Sequence, residues 1–365
     1  MSNKNDHKDT QLFYEIIEIA LGNKDELSRT PTNQEWVDIF ELSQEQTVVG
    51  VVFLALEKLS KRDVKPPLKL LYEWIGLNEQ IRVQNLLVNK RCVELTIFFA
   101  EAGFRTCILK GQGNALMYPA PLSRTSGDID IWVEGKRDEI RELVVSRCPE
   151  AQDGDMHIDF SIFKDVAVEV HYTPRVDVRP KYNKRLQQWI CDSKDVQFAN
   201  MAVLDSEKTY KVCVPTAEFN VILQMSHLMG HFFVEGIGLR QFIDFFYLLQ
   251  QKGIAVHKTD LRETLTYLGM DKFAGGVMWV LHEKLGLDCK YLLCEPNEQV
   301  GILVLKEIEE GGNFGHFDQR FALRKYGLIG RGVSDFYRLA TLMRYFPSFA
   351  LWKMWDKIKG QRWKV

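Results

Sequence analysis

Two aspartates one residue apart are the first candidates for chemistry. In Gly127-Asp128-Ile129-Asp130-Ile131-Trp132-Val133 the acids alternate with apolar residues. That period-two pattern is the mark of a half-buried strand, so Asp128 and Asp130 project from one face and Ile129 and Ile131 from the other. The rise of a strand sets the two carboxylates about 7 Å apart, where they repel unless a cation lies between them. Mg²⁺ suits such a place, because it takes hard oxygen ligands and is commonly held by one or two carboxylates together with substrate phosphates. Glu169, in Val168-Glu169-Val170-His171, is a third acid set in an apolar strand. On an adjacent strand and the same face it would complete a site for two metal ions of the kind used in phosphoryl transfer. Otherwise Asp128 and Asp130 are a turn ahead of a strand edge, and Glu169 is an exposed residue on an edge strand.

These acids need a sheet to position them. Residues 104–109 read as a strand, Lys110-Gly111-Gln112-Gly113 as a glycine-bearing turn, and 114–118 as a short helix stopped by Pro119 and Pro121. A helix is predicted over 137–147, and two strands at 157–163 and 166–172 form a hairpin around Lys164-Asp165. Residues 103–205 are the only segment with sheet character. Before them, residues 1–102 read as helical, with Leu12, Ile16, Ile17, Ala20 and Leu21 on one stripe and a capping box at Thr32 and Glu35. A helix through 48–56 and a long one from Leu68 toward Ala100, after Pro66-Pro67, complete that region. Residues 206–365 return to helix from Thr216, with breaks near Gly311-Gly312 and Gly327–Gly332. The fold class expected is α+β: a mixed sheet in the centre, flanked by helical regions.

Leu109-Lys110-Gly111, Tyr118-Pro119, Arg124 ahead of Gly127-Asp128-Ile129-Asp130, and Glu169-Val170-His171-Tyr172 together form an ordered set. With it the chain resembles the bacterial uncharacterised nucleotidyltransferase family of the DNA polymerase beta-like nucleotidyltransferase superfamily, over roughly residues 100–250 and weakly over the flanks. The resemblance implies three carboxylates on a mixed sheet, two Mg²⁺ ions, and transfer of a nucleoside monophosphate from an NTP to a hydroxyl acceptor with release of pyrophosphate. It assigns Asp128 and Asp130 to both ions. Glu169 goes to the ion that activates the acceptor, and can take the acceptor's proton directly or through water. The wider superfamily has Gly-Ser after the first strand where this chain has Lys110-Gly111. Gly111 still permits close backbone approach, and the amides of the next helix start remain an anion site. Lys110 either sets a point charge on phosphate or is a solvated strand-end lysine. Arg124 and Ser126 flank the site, as phosphate contacts or as solvated loop residues. The alternative to an enzyme is a catalytically inactive relative that binds a nucleotide or a partner protein. The altered turn favours that alternative, and retention of three acids favours the enzyme. The acceptor, whether small molecule, protein or RNA, is not legible.

Several further residues could line such a site. His157 and Asp159 alternate on their strand and reach Glu169's face in one of the two possible hairpin registers. His227 and His231 share a helix face at the i, i+4 spacing, as zinc ligands or as polar packing near the cleft. Arg240 and Asp244 match residues the family carries on this helix, and are also placed for an intrahelical ion pair. From 320 to 365 the chain carries 11 Lys/Arg against Asp335 and Asp356, interleaved with aromatic rings. Such a segment could contact an anionic membrane or RNA surface, or pack its rings on the core.

Composition narrows the classes. Lys+Arg 47 against Asp+Glu 49 gives a formal charge of -2, which disfavours recognition through a bulk positive field and leaves local patches open. No apolar run approaches the roughly 18 residues of a membrane span, and the polar start shows no secretory leader. Seven scattered cysteines without a C-x-x-C pair read as free thiols in a reducing cytoplasm.

Overall fold

The computed structural model describes residues 10–204, 210–234, 236–313 and 342–358. Helices α1 (Thr10–Leu21), α2 (Asn33–Glu45) and α3 (Val49–Ser60) pack through their apolar stripes, with Leu12, Ile16, Ile17 and Ala20 buried. The predicted capping box starts α2: Thr32 Oγ1 accepts from the Glu35 N–H (3.3 Å), and Glu35 Oε2 accepts from the Thr32 N–H (2.7 Å). Helix α4 (Leu68–Glu101) is one continuous rod of 34 residues, roughly 50 Å long. Trp74 near its start enters the helical core, while Val88, Cys92, Leu95 and Phe99 lie under the sheet.

The sheet contains β1 (Thr106–Leu109), β2 (Ile129–Val133), β3 (His157–Asp159) and β4 (Val168–His171), in the spatial order β1-β2-β4-β3. The β1–β2 and β3–β4 pairs are antiparallel and β2–β4 is parallel, so the sheet is mixed. Along β2 the alternation divides the residues as the sequence implies. Ile129, Ile131 and Val133 join a core with α4 and with Ile140 and Val144 of α6 (Arg137–Arg147). On the opposite face Trp132 packs against Phe198 and Phe219, and the acids line a cleft roofed by helices.

Between β1 and β2 the chain makes α5 (Gly111–Ala115) and a 3-10 turn at Pro121–Ser123. The helix expected at 114–118 therefore begins three residues earlier, because the Asn114 N–H already closes a helical bond on the Lys110 carbonyl (3.0 Å). Strand β3 is shorter than its apolar run, since the Ile162 N–H folds back onto the Phe160 carbonyl (2.7 Å). Helix α7 (Pro180–Gln197) was not read from the sequence, although Pro180 at its first turn is a start signal. Strands β5 (Met201–Val203) and β6 (Lys211–Cys213) pair antiparallel as a second sheet. The sheet content thus extends past residue 205 into the region expected to be helical, in strands of three residues that are too short to show alternation.

The remaining helices are α8 (Ala217–Val234), α9 (Leu239–Leu249), α10 (Lys252–Val256), α11 (Lys258–Tyr267), α12 (Asp271–Leu285), α13 (Glu298–Gly311) and α14 (Pro347–Ile358). Helix α13 stops at Gly312 (φ 60°), as the Gly311-Gly312 pair predicts. Within the basic, aromatic segment, Phe346 and Phe349 pack on Phe233, the latter stacked at 3.7 Å, while Trp352 and Trp355 are exposed. The rest of that segment, residues 320–341 and 359–365 with the glycines at 327–332, lies outside the described residues. Among the described residues no helix is long and apolar enough to cross a membrane.

Two contacts set the loop that delivers the acids. Asn85 of α4 donates through Nδ2 to the carbonyls of Leu122 (3.0 Å) and Arg124 (2.8 Å). Gly50 of α3 lies so close to Ser123 that a Cβ would overlap its carbonyl. Gly50→Ala is expected to lower stability by about 1–3 kcal/mol, the usual cost of overpacking. The shift would be read as a lower urea midpoint, and an unchanged midpoint would mean that α3 does not press on this loop.

Candidate active site

Register brings the acids together. In the parallel β2–β4 pair Asp130 is the direct partner of Glu169, so both side chains leave the same face of the sheet. Asp128, immediately before β2, follows by alternation. Carboxylate oxygens of Asp128, Asp130 and Glu169 lie within 4.8 Å of one another. The β3–β4 register pairs His157 with His171 and Asp159 with Glu169. His157 Nδ1 is 3.5 Å from Glu169 Oε2, and its Nε2 is 3.7 Å from Asp159 Oδ1.

Three close negative charges require compensation, and it comes from two sides. Lys110 Nζ contacts Asp130 Oδ1 at 2.9 Å, and His171 Nε2 reaches the same oxygen at 2.9 Å and Glu169 Oε2 at 3.3 Å. Burial alone would raise the pKa of Asp130. The Lys110 charge and the His171 hydrogen bond outweigh it and hold this carboxyl well below the usual range. Burial opposes the charging of His171, but its two carboxylate partners prevail and its pKa is raised. Glu169 is lowered against its burial by the His171 hydrogen bond. Asp128 goes the other way. The charge of Asp130, then burial, push it up to about 6, with Glu169 adding and Lys110 opposing. Four groups carried by β2 and β4 thus shift one another's protonation, as is usual where a fold concentrates charge for function.

Lys110 and Gly111 lie where the resemblance sets them, but the ammonium points at Asp130. The backbone of Lys110 has φ 45° and ψ -134°, and Gly111 has φ 32°. Helix α5 has five residues, too few to build an appreciable dipole at its start. Arg124, a candidate phosphate contact, is committed elsewhere. Its Nε donates to Asp244 Oδ1 (2.7 Å) and its Nη2 to Oδ2 (2.8 Å), a buried bidentate pair. Tyr118 Oη donates to Oδ1 (2.7 Å) and Asn114 Nδ2 to Oδ2 (3.2 Å), so the Asp244 carboxylate is fully used. Asp244, which the spacing matches with Arg240 one turn earlier, therefore takes Arg124 as its bidentate partner. Removing one member of such a pair strands the other charge, at about 3–5 kcal/mol. Arg240 Nη1 donates to the Thr125 carbonyl (3.1 Å), and burial together with the Arg124 charge brings its pKa down to about 10. Ser126 is half-buried and does not line the cleft.

The far wall of the cleft is α8. His227 and His231 both line it, with ring centroids 4.2 Å apart. Burial and the Lys110 charge keep His227 neutral by lowering its pKa well below the ordinary value. Among the described residues the groups able to hold a metal are Asp128, Asp130 and Glu169, and His157, Glu169 and His171; the α8 histidine pair is in neither. Arg175, which no motif in the sequence singles out, follows β4 and is buried against α8, where a Cβ on Gly230 would overlap its guanidinium. The three acids, Arg175 and Arg240 therefore line one cleft.

A raised carboxyl pKa means that the folded state holds the Asp128 proton up to about pH 6 while the unfolded chain loses it near pH 4. Stability then falls as pH rises through that window. In chelator-treated protein Asp128→Asn should raise Tm at pH 7, and the gain should shrink toward pH 4. An equal Tm difference at both pH values would show that Asp128 is not strained by its neighbours.

The model of the uncharacterised nucleotidyltransferase family matches residues 32–286, from the start of α2 to the end of α12. Among solved structures the chain is similar to an antigenic nucleotidyltransferase-like protein from Paracoccidioides brasiliensis, at 11% identity and a TM-score of 0.33, over 58% of this chain and 95% of that one. No curated protein matches it. The matched span contains every strand of the four-stranded sheet and every residue of the carboxylate cluster, and the chain belongs to the uncharacterised nucleotidyltransferase family.

Proposed function

We propose that this protein transfers a nucleoside monophosphate from an NTP to a hydroxyl acceptor, with a divalent metal, Mg²⁺ by preference, held at Asp128, Asp130 and Glu169. The observation that carries the reading is the convergence of these three carboxylates from β2 and β4 on one face of the sheet. The site fits a hard cation. It is all oxygen on its reacting side, and its acids repel strongly enough to push Asp128 up to about 6. Asp128, Asp130 and Glu169 would hold a divalent ion there, and its charge would lower the pKa of a hydroxyl nucleophile and offset charge on a leaving pyrophosphate. The residues of the chain do the rest. Glu169 accepts the proton of the acceptor hydroxyl, whose oxygen bonds to the α-phosphorus as the bond to the β-phosphate oxygen breaks. Arg175 and Arg240, which line the same cleft, bind and orient the phosphates. Arg124 supports the site through Asp244.

A second reading is supported by one observation. Lys110 sits in the carboxylate cluster, with Asp130 already neutralised, as expected of a relative that binds a nucleotide or a partner without turnover. The two are separated by incubating the full chain with each of four α-labelled NTPs and Mg²⁺, and measuring pyrophosphate release and label transfer to protein or RNA. The enzyme reading expects release with at least one NTP, falling to background in Asp130→Asn. NTP binding without pyrophosphate supports the second reading in its nucleotide-binding form, and loss of both binding and release in the wild type contradicts the enzyme and the nucleotide-binding relative alike.

A further inference from the structure

Lys110 occupies a backbone conformation that lysine avoids. Its φ of 45° with ψ of -134° belongs to glycine's territory, and holding a side chain there costs of the order of 1–3 kcal/mol. The surroundings enforce it. Leu109 is paired with Asp130 across the β1–β2 ladder, and α5 begins at the very next residue, Gly111. Between these fixed ends the side chain is largely buried, with Nζ 2.9 Å from Asp130 Oδ1.

That oxygen also faces His171 Nε2 at 2.9 Å. Two nitrogen donors therefore share Oδ1, and Oδ2 is the oxygen of Asp130 left for a metal. A carboxylate that bridges two ions offers one oxygen to each. Asp130, with Oδ1 taken, serves one.

We propose that Lys110 is a resident cation of the carboxylate cluster, taking the place of a second divalent ion and turning Asp130 Oδ2 toward a single one. Lys110 is a positioning residue in this role, acting through Asp130. The inference rests on the metal-dependent reading proposed above, and it replaces the two ions of that resemblance with one ion and one lysine.

The test counts ions and needs no turnover. Mn²⁺ is titrated into the full-length protein, and free ion is followed by its electron paramagnetic resonance signal. Asp128→Asn/Asp130→Asn gives the background to subtract. Wild type is expected to hold one Mn²⁺ at the cluster. Lys110→Met, which keeps the stem, and Lys110→Gly, which also relieves the backbone, are expected to hold two, with the broadened spectrum of a coupled pair. Circular dichroism checks that both variants fold. Two coupled ions in the wild type, or one in both variants, would overturn the role of Lys110 and leave the metal-dependent reading standing. No ion in wild type or variants would overturn that reading as well.

Discussion

The parallel pairing of β2 with β4 is the constraint on which the structure of this site depends. Setting Asp130 directly beside Glu169, with Asp128 two residues earlier, confines three carboxylates to a space where they repel one another. A fold tolerates that only if the charge is answered, and Lys110 and His171 answer it at a single oxygen of Asp130. The opposite pKa directions of Asp128 and Asp130 are the electrostatic record of this arrangement: one acid received the compensation and the other received its neighbour's charge.

The helices make the arrangement rigid from behind and close it from above. The loop leading to β2 is held at its carbonyls by Asn85 and pressed by α3 at Gly50. Its Arg124 is locked into Asp244 of α9, with Tyr118 and Asn114 filling the remaining acceptor positions. A buried charge pair adds little net stability over an apolar one, but its failure to form is expensive, which suits a contact that fixes where two layers meet. Asn114 in turn accepts from Asn220 (2.9 Å) and Gln224 (3.1 Å) of α8. The β1–β2 connection, α8 and α9 are thereby joined by polar contacts along the same cleft that the acids line.

What was legible in the sequence was what local pattern encodes. Alternation alone oriented Asp128 and Asp130, Thr32 and Glu35 announced the start of α2, and the uninterrupted run after Pro67 became α4. The position of Glu169 beside Asp130 was legible only as a condition, because strand pairing is a relation between distant segments. For the same reason the bidentate contact of Asp244 with Arg124, 120 residues away, is invisible in the sequence, where only the i, i+4 spacing to Arg240 shows. Lys110 could be assigned to the site but not aimed within it, since its direction follows from a positive φ that no spacing reveals. Arg175 and the three-residue strands β5 and β6 left too little periodic signal to be read at all.

The central claim is that Asp128, Asp130 and Glu169 converge to grip a divalent cation. Anomalous diffraction from crystals of the full chain grown with Mn²⁺ addresses it most directly. A manganese peak at bonding distance from an oxygen of each of the three carboxylates is the expected result. A Glu169 side chain turned away from the aspartates, with no manganese between them, would contradict it.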